Sequence, residues 1–157
     1  MKAMVLMVCL ALFGHTTLAA EAHFEQAGFS IKLLDTSSAS QNFQPLQMFL
    51  PAVNGFAANV NVQLQFYSDS LQAYQALSES QFKQFGMTLV RSELKQDILW
   101  FEYRGAMYGN DLYFYSKALK RGDSLYLATA TDLQSQWPQS GEQLRAVVDS
   151  LTLPAAP

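Results

Sequence analysis

The clearest pattern of hydrophobic and polar positions lies between residues 59 and 66, where polar and apolar residues alternate without a break. A period of two places successive side chains on opposite faces of a β-strand. The pattern predicts a strand whose core-facing side is formed by Val60, Val62, Leu64 and Phe66. The other side holds only Asn and Gln, so it carries no ionisable group. Gly55 predicts a turn before the strand.

Two stretches have the spacing of a helix with one apolar stripe. The first runs roughly from 70 to 84, with Ser68 or Asp69 as its N-cap and Gly86 as the residue that ends it. The second is expected to begin at about Gly141, after a short helical turn that Pro138 interrupts. The stripes consist of Leu71, Tyr74, Leu77 or Ser78, Phe82 and Phe85 in the first helix, and of Leu144, Val147, Val148 and Leu151 in the second.

Further strands are predicted over residues 28–34, 87–94, 98–107, 112–121 and 125–131. The turns at 108–111 and 121–124 are too short for a parallel return, so the strands that they join must be antiparallel. Residues 35–54 are predicted to form a loop with a short apolar piece at 47–50. The expected fold is α+β, an antiparallel sheet of about six or seven strands packed with a mid-chain helix and a C-terminal helix.

The first twenty residues have the organisation of a secretory signal peptide. Lys2 gives a positive start, residues 3–13 are apolar, and small residues follow. This run is shorter than the roughly twenty apolar residues that span a bilayer. We expect cleavage near Ala20, with Ala19 and Ala22 as alternatives, and therefore a periplasmic or secreted bacterial protein without a membrane span. The rest is expected to form a single α+β domain over 21–153 and a frayed tail at 154–157.

Removal of the signal peptide would leave few reactive groups in the chain. Cys9 and His15 would be lost with it, and His23 would be the only histidine, close to the new N-terminus. The residues for a nucleophile–histidine pair or a zinc site are then missing. The sequence has no calcium loop, Gly-rich phosphate loop or basic cluster, and its net charge would be about −4 after cleavage. The sequence therefore predicts no cofactor, no metal, no nucleic-acid partner and no enzymatic activity.

Two regions are candidate binding surfaces. One is the sheet face that carries Trp100 and Arg104 together with aromatic and cationic residues of the following strands. The alternative is that a helix covers this face and that the tyrosine hydroxyls reach its rim. The second region is the loop at 35–54, whose apolar side chains either contact a partner or tuck over the sheet edge. The candidate residues are Trp100, Arg104, Tyr113, Tyr115, Lys117 and Tyr126 on the sheet, and Phe43, Met48 and Phe49 in the loop.

Four segments resemble the PsbP-like fold, which is shared by the photosystem II extrinsic protein, the Ran-binding Mog protein and bacterial DcrB-type secreted proteins. They are the opening strand at 28–31, the glycine-led strand at 55–62, the strand at 124–131 and the terminal helix at 144–151. The chain departs from the pattern at 34–37, where relatives often carry a Pro and a Trp. The resemblance covers nearly all of the expected mature chain. It implies a role in binding other proteins and implies no active site.

The leading hypothesis is a non-enzymatic periplasmic binding or accessory protein with an unknown protein partner in the cell envelope. A second is a carrier of a small apolar ligand, held in a pocket between sheet and helix. A third is a cleft enzyme that uses a pair of carboxylates, for which Glu93, Asp97 and Glu102 form the nearest group. The sequence leaves the partner, the oligomeric state and the biological process open.

Overall fold

A computed structural model of the chain describes residues 21–24, 29–32 and 43–154, with side chains from residue 44 onward. The chain divides into two compact units, 1–39 and 40–157. In the first unit, β1 (Glu21–Phe24) and β2 (Phe29–Lys32) form a two-stranded antiparallel sheet. Strand β2 falls within a predicted strand, whereas β1 was not predicted. The predicted signal peptide lies outside the described residues.

The second unit is built on a six-stranded antiparallel sheet with the order β3-β4-β8-β7-β6-β5. One helix lies between β4 and β5 in the chain, and the other follows β8. The predicted α+β class, with a mid-chain and a C-terminal helix, is confirmed. The elements are β3 (Phe43–Phe49), β4 (Asn59–Phe66), α1 (Leu71–Gln84), β5 (Thr88–Lys95), β6 (Ile98–Met107), β7 (Asn110–Arg121), β8 (Ser124–Leu133) and α2 (Trp137–Asp149).

Two-residue turns set the register of β5, β6 and β7. Gln96 and Asp97 join β5 to β6 with φ values of 51° and 59°, and Tyr108 and Gly109 join β6 to β7 with φ values of 53° and 79°. Two consecutive residues with positive φ are what a hairpin turn matching the twist of the strands requires. The β6–β7 turn was predicted one residue later in the chain, and the Gln96–Asp97 turn shows that such a site need not contain glycine.

The two helices pack on opposite faces of the sheet, and each face has its own core. We call them the α1 face and the α2 face. Helix α1 packs on β5 and β6, whereas α2 packs on β8, β7 and β4. The α1 face includes the buried residues Leu71, Leu99, Phe101, Ala118 and Leu125. The α2 face includes Ala58, Val60, Tyr115, Ala128, Ala130, Trp137, Leu144 and Val148.

Strand β4 has the predicted alternation of apolar and polar residues, but its apolar face is not buried over its whole length. Val60 is buried on the α2 face and Val62 packs against the same core, as predicted. Phe66 is 53 % exposed, so its predicted core position is wrong. Phe66 pairs with Ser124 beside the β7–β8 turn. Along the strands this position lies beyond Lys117, which contacts the end of α2. The covering helix is therefore shorter than the strand.

The helix ends differ from the prediction in two places. The N-cap of α1 is Ser70, whose Oγ accepts a hydrogen bond from the backbone N–H of Ala73 at 3.1 Å. Helix α2 is continuous from Trp137, and Pro138 lies in its first turn instead of interrupting it. Proline is tolerated there because the first N–H groups of a helix have no partner within the helix. Gly86 follows α1 with φ of 68°, in agreement with the prediction.

Three residues of the predicted apolar stripes are exposed. They are Leu77 and Phe85 of the α1 region and Val147 of α2. The helices contact the sheet through a narrower strip than the sequence pattern indicates. In α1 the buried residues are Leu71 and Ser78, and in α2 they include Leu144 and Val148.

Candidate functional site

The aromatic and cationic set predicted on the sheet lies largely beneath the end of α2. Two side chains donate to the carboxylate of Asp149, the indole Nε1 of Trp100 at 3.2 Å and the hydroxyl of Tyr115 at 3.0 Å. The ammonium group of Lys117 donates to the backbone carbonyls of Asp149 at 2.7 Å and Leu151 at 2.8 Å. A helix C-terminus leaves carbonyls without partners and carries partial negative charge, which a buried cation satisfies. These candidate residues therefore attach the helix.

The other half of this face is closed by Arg145 of α2. Its guanidinium pairs with the carboxylate of Glu102, which also accepts a hydrogen bond from the Tyr113 hydroxyl at 2.9 Å. The guanidinium lies 5.3 Å from the ring centroid of Trp137 and 5.6 Å from that of Tyr115. Trp137 in turn stacks on Tyr113 with centroids 4.6 Å apart. Cation–π contacts and aromatic stacking thus join helix to sheet.

The tyrosines of this face act as hydrogen-bond donors. Burial raises the pKa of Tyr115 to about 12, and the carboxylate of Asp149 adds to the effect. Burial also raises the pKa of Tyr113, with a further contribution from Glu102. A neighbouring carboxylate favours the protonated hydroxyl because ionisation would bring two negative charges together. Both hydroxyls keep their protons around neutral pH and hold the helix in place.

The remaining two candidates of the sheet face lie outside this attachment. Arg104 is exposed and pairs across the sheet with Tyr113. Tyr126 is half-buried and pairs with Leu64 and Leu119, one row past Lys117. The structure therefore brings four of the six predicted residues together, and it brings them together under a helix. In the structure a helix covers this face, as the alternative interpretation of the sequence predicted.

The carboxylates considered for an enzyme do not have the environment of an acid–base pair. Glu93 forms an ion pair with Arg91. The hydrogen bond that Glu93 accepts from the Arg91 side chain lowers the pKa of Glu93. A general acid needs a raised pKa, the opposite direction. Glu102 is held by Arg145 and Tyr113 as described above. Asp97 lies in the β5–β6 turn.

The second candidate region is the edge of the sheet and not a loop. Phe43, Met48 and Phe49 all belong to β3, so the predicted loop at 35–54 is wrong over this part. Met48 is 42 % exposed and Phe49 is 60 % exposed. The alternation is hidden in the sequence because Pro45 and a register shift before Leu46 interrupt it. The exposed apolar side chains of the candidate region therefore stand on a regular strand.

The two edges of the six-stranded sheet differ in charge. Strand β5 carries Arg91, Glu93 and Lys95 along the opposite edge. Charged side chains on an edge strand discourage pairing with other chains. Strand β3 carries no charged side chain over its whole length. Among the described residues of this unit, Pro45 and the irregularity next to it interrupt the outer edge of β3, whereas no other strand of the six-stranded sheet pairs with the half from Leu46 to Phe49.

A groove runs along α2 on the α2 face, beside the end of β3 and the segment that connects β3 to β4. It consists of two cavities, of about 150 Å³ and about 220 Å³, that share Leu50, Ala58 and Gln143. The smaller cavity is mostly apolar, and Val147 of α2 forms part of its wall. The larger one is lined on one side by amide and hydroxyl groups. The remaining lining residues are Met48, Phe49, Asn59, Val60 and Leu144 in the smaller cavity, and Pro51, Val53, Phe56, Asp132, Gln136, Gln139 and Ser140 in the larger.

The one carboxylate that lines the groove is occupied within the protein. Asp132 is 4 % exposed, and it accepts hydrogen bonds from the backbone N–H of Leu133 at 2.7 Å and from the hydroxyl of Ser140. Because its oxygens already have donors, Asp132 offers little to a cationic ligand. The groove therefore fits apolar and neutral polar groups.

Sequence reasoning missed the α2 side of this groove. Val147 was assigned to the core-facing stripe, yet it is 37 % exposed and lines the smaller cavity. Gln143 contributes to both cavities and carried no distinguishing signal. The position of a helix over a sheet edge depends on packing between distant segments. The one usable signal in the sequence was the apolar stripe of α2, which is wider than the strip of the helix that the sheet covers.

The described part of the chain contains neither a cluster of metal-binding side chains nor a helix that could cross a membrane. Within residues 21–24, 29–32 and 43–154, no three His, Cys, Asp or Glu side chains are grouped so that they could hold a metal ion. Over the same residues, neither helix has the length and hydropathy needed to cross a membrane.

Comparisons with known proteins give similarity at the level of structure. No protein-family model matches the chain, and no curated protein has a significantly similar sequence. The crystal structure of PA94, a Pseudomonas aeruginosa protein of unknown function with a suggested regulatory role, matches with a TM-score of 0.62 and 12 % identity. This match covers 87 % of the present chain and 98 % of the other. At this identity it shows a shared fold and nothing about function.

A PsbP protein is also among the similar structures. The solution structure of cyanobacterial PsbP from Synechocystis sp. PCC 6803 matches with a TM-score of 0.49 and 9 % identity, over 90 % of the present chain and 96 % of the other. The sequence motifs predicted a resemblance to this group. The similarity to Mog-type and DcrB-type proteins stays a prediction.

Proposed function

We propose that the protein is a non-enzymatic binding protein of the bacterial cell envelope, and that it holds an extended segment of a partner protein along β3. The observation that carries the proposal is the uncharged apolar edge formed by Leu46, Met48 and Phe49, with a groove beside it. Addition of a strand to a sheet edge is a common mode of peptide recognition.

The backbone of β3 offers hydrogen bonds to an added strand. The N–H of Leu50 donates to the carbonyl of Ala58 at 2.8 Å, which shows that position 50 faces β4. In an antiparallel ladder the residues facing one neighbour alternate with those facing away from it. The N–H and C=O groups of Gln47 and Phe49 are therefore directed outward from the sheet. A partner strand would bond to these groups, and this requires no particular partner sequence.

The groove would supply the sequence preference. Side chains on one face of an added strand would point toward α2, next to Met48 and Val147. The apolar cavity would favour aliphatic side chains, and the amides around Gln143 would favour neutral polar ones. A segment rich in charge would lose hydration without gaining an ionic partner. The proposed ligand is accordingly an extended, uncharged, largely apolar polypeptide segment.

The size of the groove argues against the carrier of a small apolar ligand. Sites that enclose a drug-sized molecule have volumes of roughly 300–1,000 Å³. Neither cavity alone reaches this volume, since they have about 150 Å³ and 220 Å³, and both open to the surface instead of enclosing a ligand. They suit individual side chains of a polypeptide better than a whole ligand.

The location in the envelope is supported by the sequence of residues 1–20. A positive residue, an apolar run and small residues follow in the order of a signal peptide. Intact-mass analysis of the protein from the periplasmic fraction tests this part. A mass that corresponds to a chain starting near Glu21 is expected. A full-length mass in the cytoplasmic fraction would contradict it.

Site-specific photocrosslinking in cells tests the binding site. A photoreactive amino acid replaces Phe49 on β3 or, as the control, the similarly exposed Leu77 on α1. We expect crosslinks to a defined segment of one protein from position 49 and not from position 77. The captured segment, identified by mass spectrometry and synthesised as a peptide, is then titrated by fluorescence anisotropy.

A matched pair of groove variants decides whether that peptide occupies the groove. Val147→Lys places a charge in the apolar cavity, whereas Ala146→Lys places it on the exposed neighbouring position of the same helix. We expect Val147→Lys to weaken peptide binding at least about tenfold, or about 1.4 kcal/mol. Ala146→Lys should leave it unchanged. Equal crosslinking from both positions, or equal affinity of both variants, would overturn the proposal.

A further inference from the structure

The edge strand β3 is compatible with pairing to a copy of itself. Identical strands that meet around a twofold axis run antiparallel, and each residue meets a fixed partner of the other copy. A charged residue near the axis then lies close to the same charged residue of the other copy, and the two repel each other. Strand β3 escapes this penalty because none of its residues is charged, whereas β5 on the opposite edge carries Arg91, Glu93 and Lys95.

The direction of the backbone groups selects the position of the axis. Gln47 directs its N–H and C=O away from β4, so two copies of Gln47 can exchange both hydrogen bonds across the axis. This register places Leu46 opposite Met48 of the other copy, twice. The two residues are 45 % and 42 % exposed, and both lie on the α2 face because they pair with Val62 and Val60. Pairing would bring all four side chains into contact and reduce their exposure to water.

The same register also fits the irregular end of the strand. It places Pro45 opposite Phe49 of the other copy. Pro45 has no N–H to donate and lies beside the register shift, so the paired region is limited to a few residues on either side of Gln47. An interface of this size gives a weak complex that exchanges readily. The contact is suited to protecting the edge when no partner segment is present.

We propose that a second copy of this chain occupies the β3 edge in the absence of a partner, through antiparallel β3–β3 pairing centred on Gln47. The inference rests on the proposed function, because the same edge is the proposed partner site. A twofold axis perpendicular to the sheet keeps both α2 faces on one side. The two grooves then meet at the cluster of Leu46 and Met48 side chains. Partner binding and self-pairing exclude each other.

Sedimentation equilibrium of the purified protein measures the self-association. We expect a reversible monomer–dimer equilibrium with a Kd of roughly micromolar or weaker, because the interface is smaller than the standard size. Leu46→Lys introduces two like charges next to the axis and should raise Kd at least about tenfold. The matched control is Leu77→Lys, which replaces the same residue type at the same 45 % exposure on α1. This control should leave Kd unchanged.

A second measurement does not depend on a disruptive substitution. Gln47→Cys in a chain with Cys9→Ser makes position 47 the only cysteine. Directly opposed residues that exchange hydrogen bonds have Cα atoms about 5.5 Å apart, within the range that a disulfide spans. Mild oxidation should give a covalent dimer quickly. Gln84→Cys in the same background, exposed at the end of α1, should give it only slowly.

The outcomes separate the two proposals. A monomer at all concentrations, a dimer that Leu46→Lys does not weaken, or equal oxidation of both cysteine variants would overturn the self-pairing. The partner site would still stand if crosslinks from position 49 identify a segment of another protein. A β3-centred dimer without any such segment would support the self-pairing and count against the partner. Competition between the captured peptide and the dimer, read as a falling sedimentation-average mass, is expected when both are correct.

Discussion

At the scale of single residues, the side chains that looked most like a binding surface are those that attach α2 to the sheet. Lys117 illustrates the point, because a lysine on a strand usually reaches solvent. Here it is 6 % exposed and donates to two carbonyls at the end of α2. Arg145 has the same role at the middle of the helix, where it pairs with Glu102 and covers the ring of Trp137.

Lys117→Met is expected to lower the free energy of unfolding by about 1–3 kcal/mol. The substitution keeps the apolar stem of the side chain and leaves the carbonyls of Asp149 and Leu151 without their donor. Urea unfolding followed by circular dichroism measures the loss. The control is Lys120→Met on the same strand, whose lysine makes an exposed hydrogen bond to Gly122. It should stay within about 0.5 kcal/mol of the original chain. Equal losses in both variants would contradict the role of Lys117.

At the scale of elements, helix α2 depends on a close contact with its own first turn. The indole of Trp137 lies over Gly141, where an added Cβ would come within 2.9 Å of two ring atoms. The indole has no room to move away because it is buried and stacks on Tyr113. Glycine is therefore required at position 141 for packing, although its φ is ordinary for a helix. Its low helix propensity is outweighed by the aromatic contact that it permits.

Gly141→Ala is expected to destabilise the protein by about 1 kcal/mol. Overpacking of a tight core contact costs about 1–3 kcal/mol, and the gain in helix propensity returns about 1 kcal/mol. Thermal unfolding together with Trp fluorescence measures the change, since the ring must shift. Glu142→Ala, at the exposed next position, serves as the control and should change stability by less than about 0.5 kcal/mol. An increase in stability for Gly141→Ala would show that the ring yields easily.

Strand β3 was not predicted because its position at the edge of the sheet produces no clear sequence pattern. The strand contributes one face to a groove and has an open edge, so both apolar and polar residues along it are exposed. An alternating pattern arises where one face is buried, and β3 lacks that condition over most of its length. Strand β4 lies between β3 and β8 and shows the alternation clearly. The regularity of the alternating pattern therefore indicates whether a strand lies inside the sheet, as β4 does, or at its edge, as β3 does.

At the scale of the whole molecule, two separate cores stabilise opposite faces of one sheet. Each core contains a tyrosine whose hydroxyl is difficult to ionise. Burial raises the pKa of Tyr103 on the α1 face to about 12, and it raises the pKa of Tyr115 on the α2 face to about 12 with help from Asp149. An unfolded tyrosine ionises near its usual pKa of about 10. Stability therefore depends on pH through both faces.

The free energy of unfolding is expected to fall as the pH rises from about 10 to about 12. In this interval the unfolded chain loses tyrosine protons that the folded chain keeps, so unfolding is favoured. Below pH 10 the contribution is fully present. Urea unfolding at a series of alkaline pH values measures the decline, and Tyr103→Phe should make it shallower.

Tyr108→Phe provides the control for the alkaline series. Tyr108 is 92 % exposed at the β6–β7 turn, and its substitution should leave the pH dependence unchanged. Tyr103 by contrast stacks between Phe82 and Phe114, with centroid distances of 4.1 Å and 4.7 Å. A decline that is equally steep in Tyr103→Phe and in the original chain would exclude Tyr103 as its source.

The sequence alone determined most of the local elements and the class of the fold, although it did not predict β1 or β3. Strand β4, the length of α1 and the antiparallel order of β6, β7 and β8 follow from periodicity and from turns too short for any other connection. It also determined which residues share a face within one strand, such as Tyr113 and Tyr115 on β7, whereas the register that sets Trp100 on the same side comes from the structure. These properties depend on neighbours in the chain, and the backbone geometry of a strand or helix fixes them.

Only the tertiary structure decided which face is covered and which edge is open. Asp149 reaches Trp100 and Tyr115 across 49 and 34 residues, and no local pattern links positions so far apart. The groove likewise exists because Val147 of α2 and Met48 of β3 come together from distant segments. Such contacts depend on how whole elements pack, because each helix covers only part of the sheet. The candidate site is therefore the β3 edge, which carries the predicted candidates Met48 and Phe49, and not the aromatic face that α2 covers.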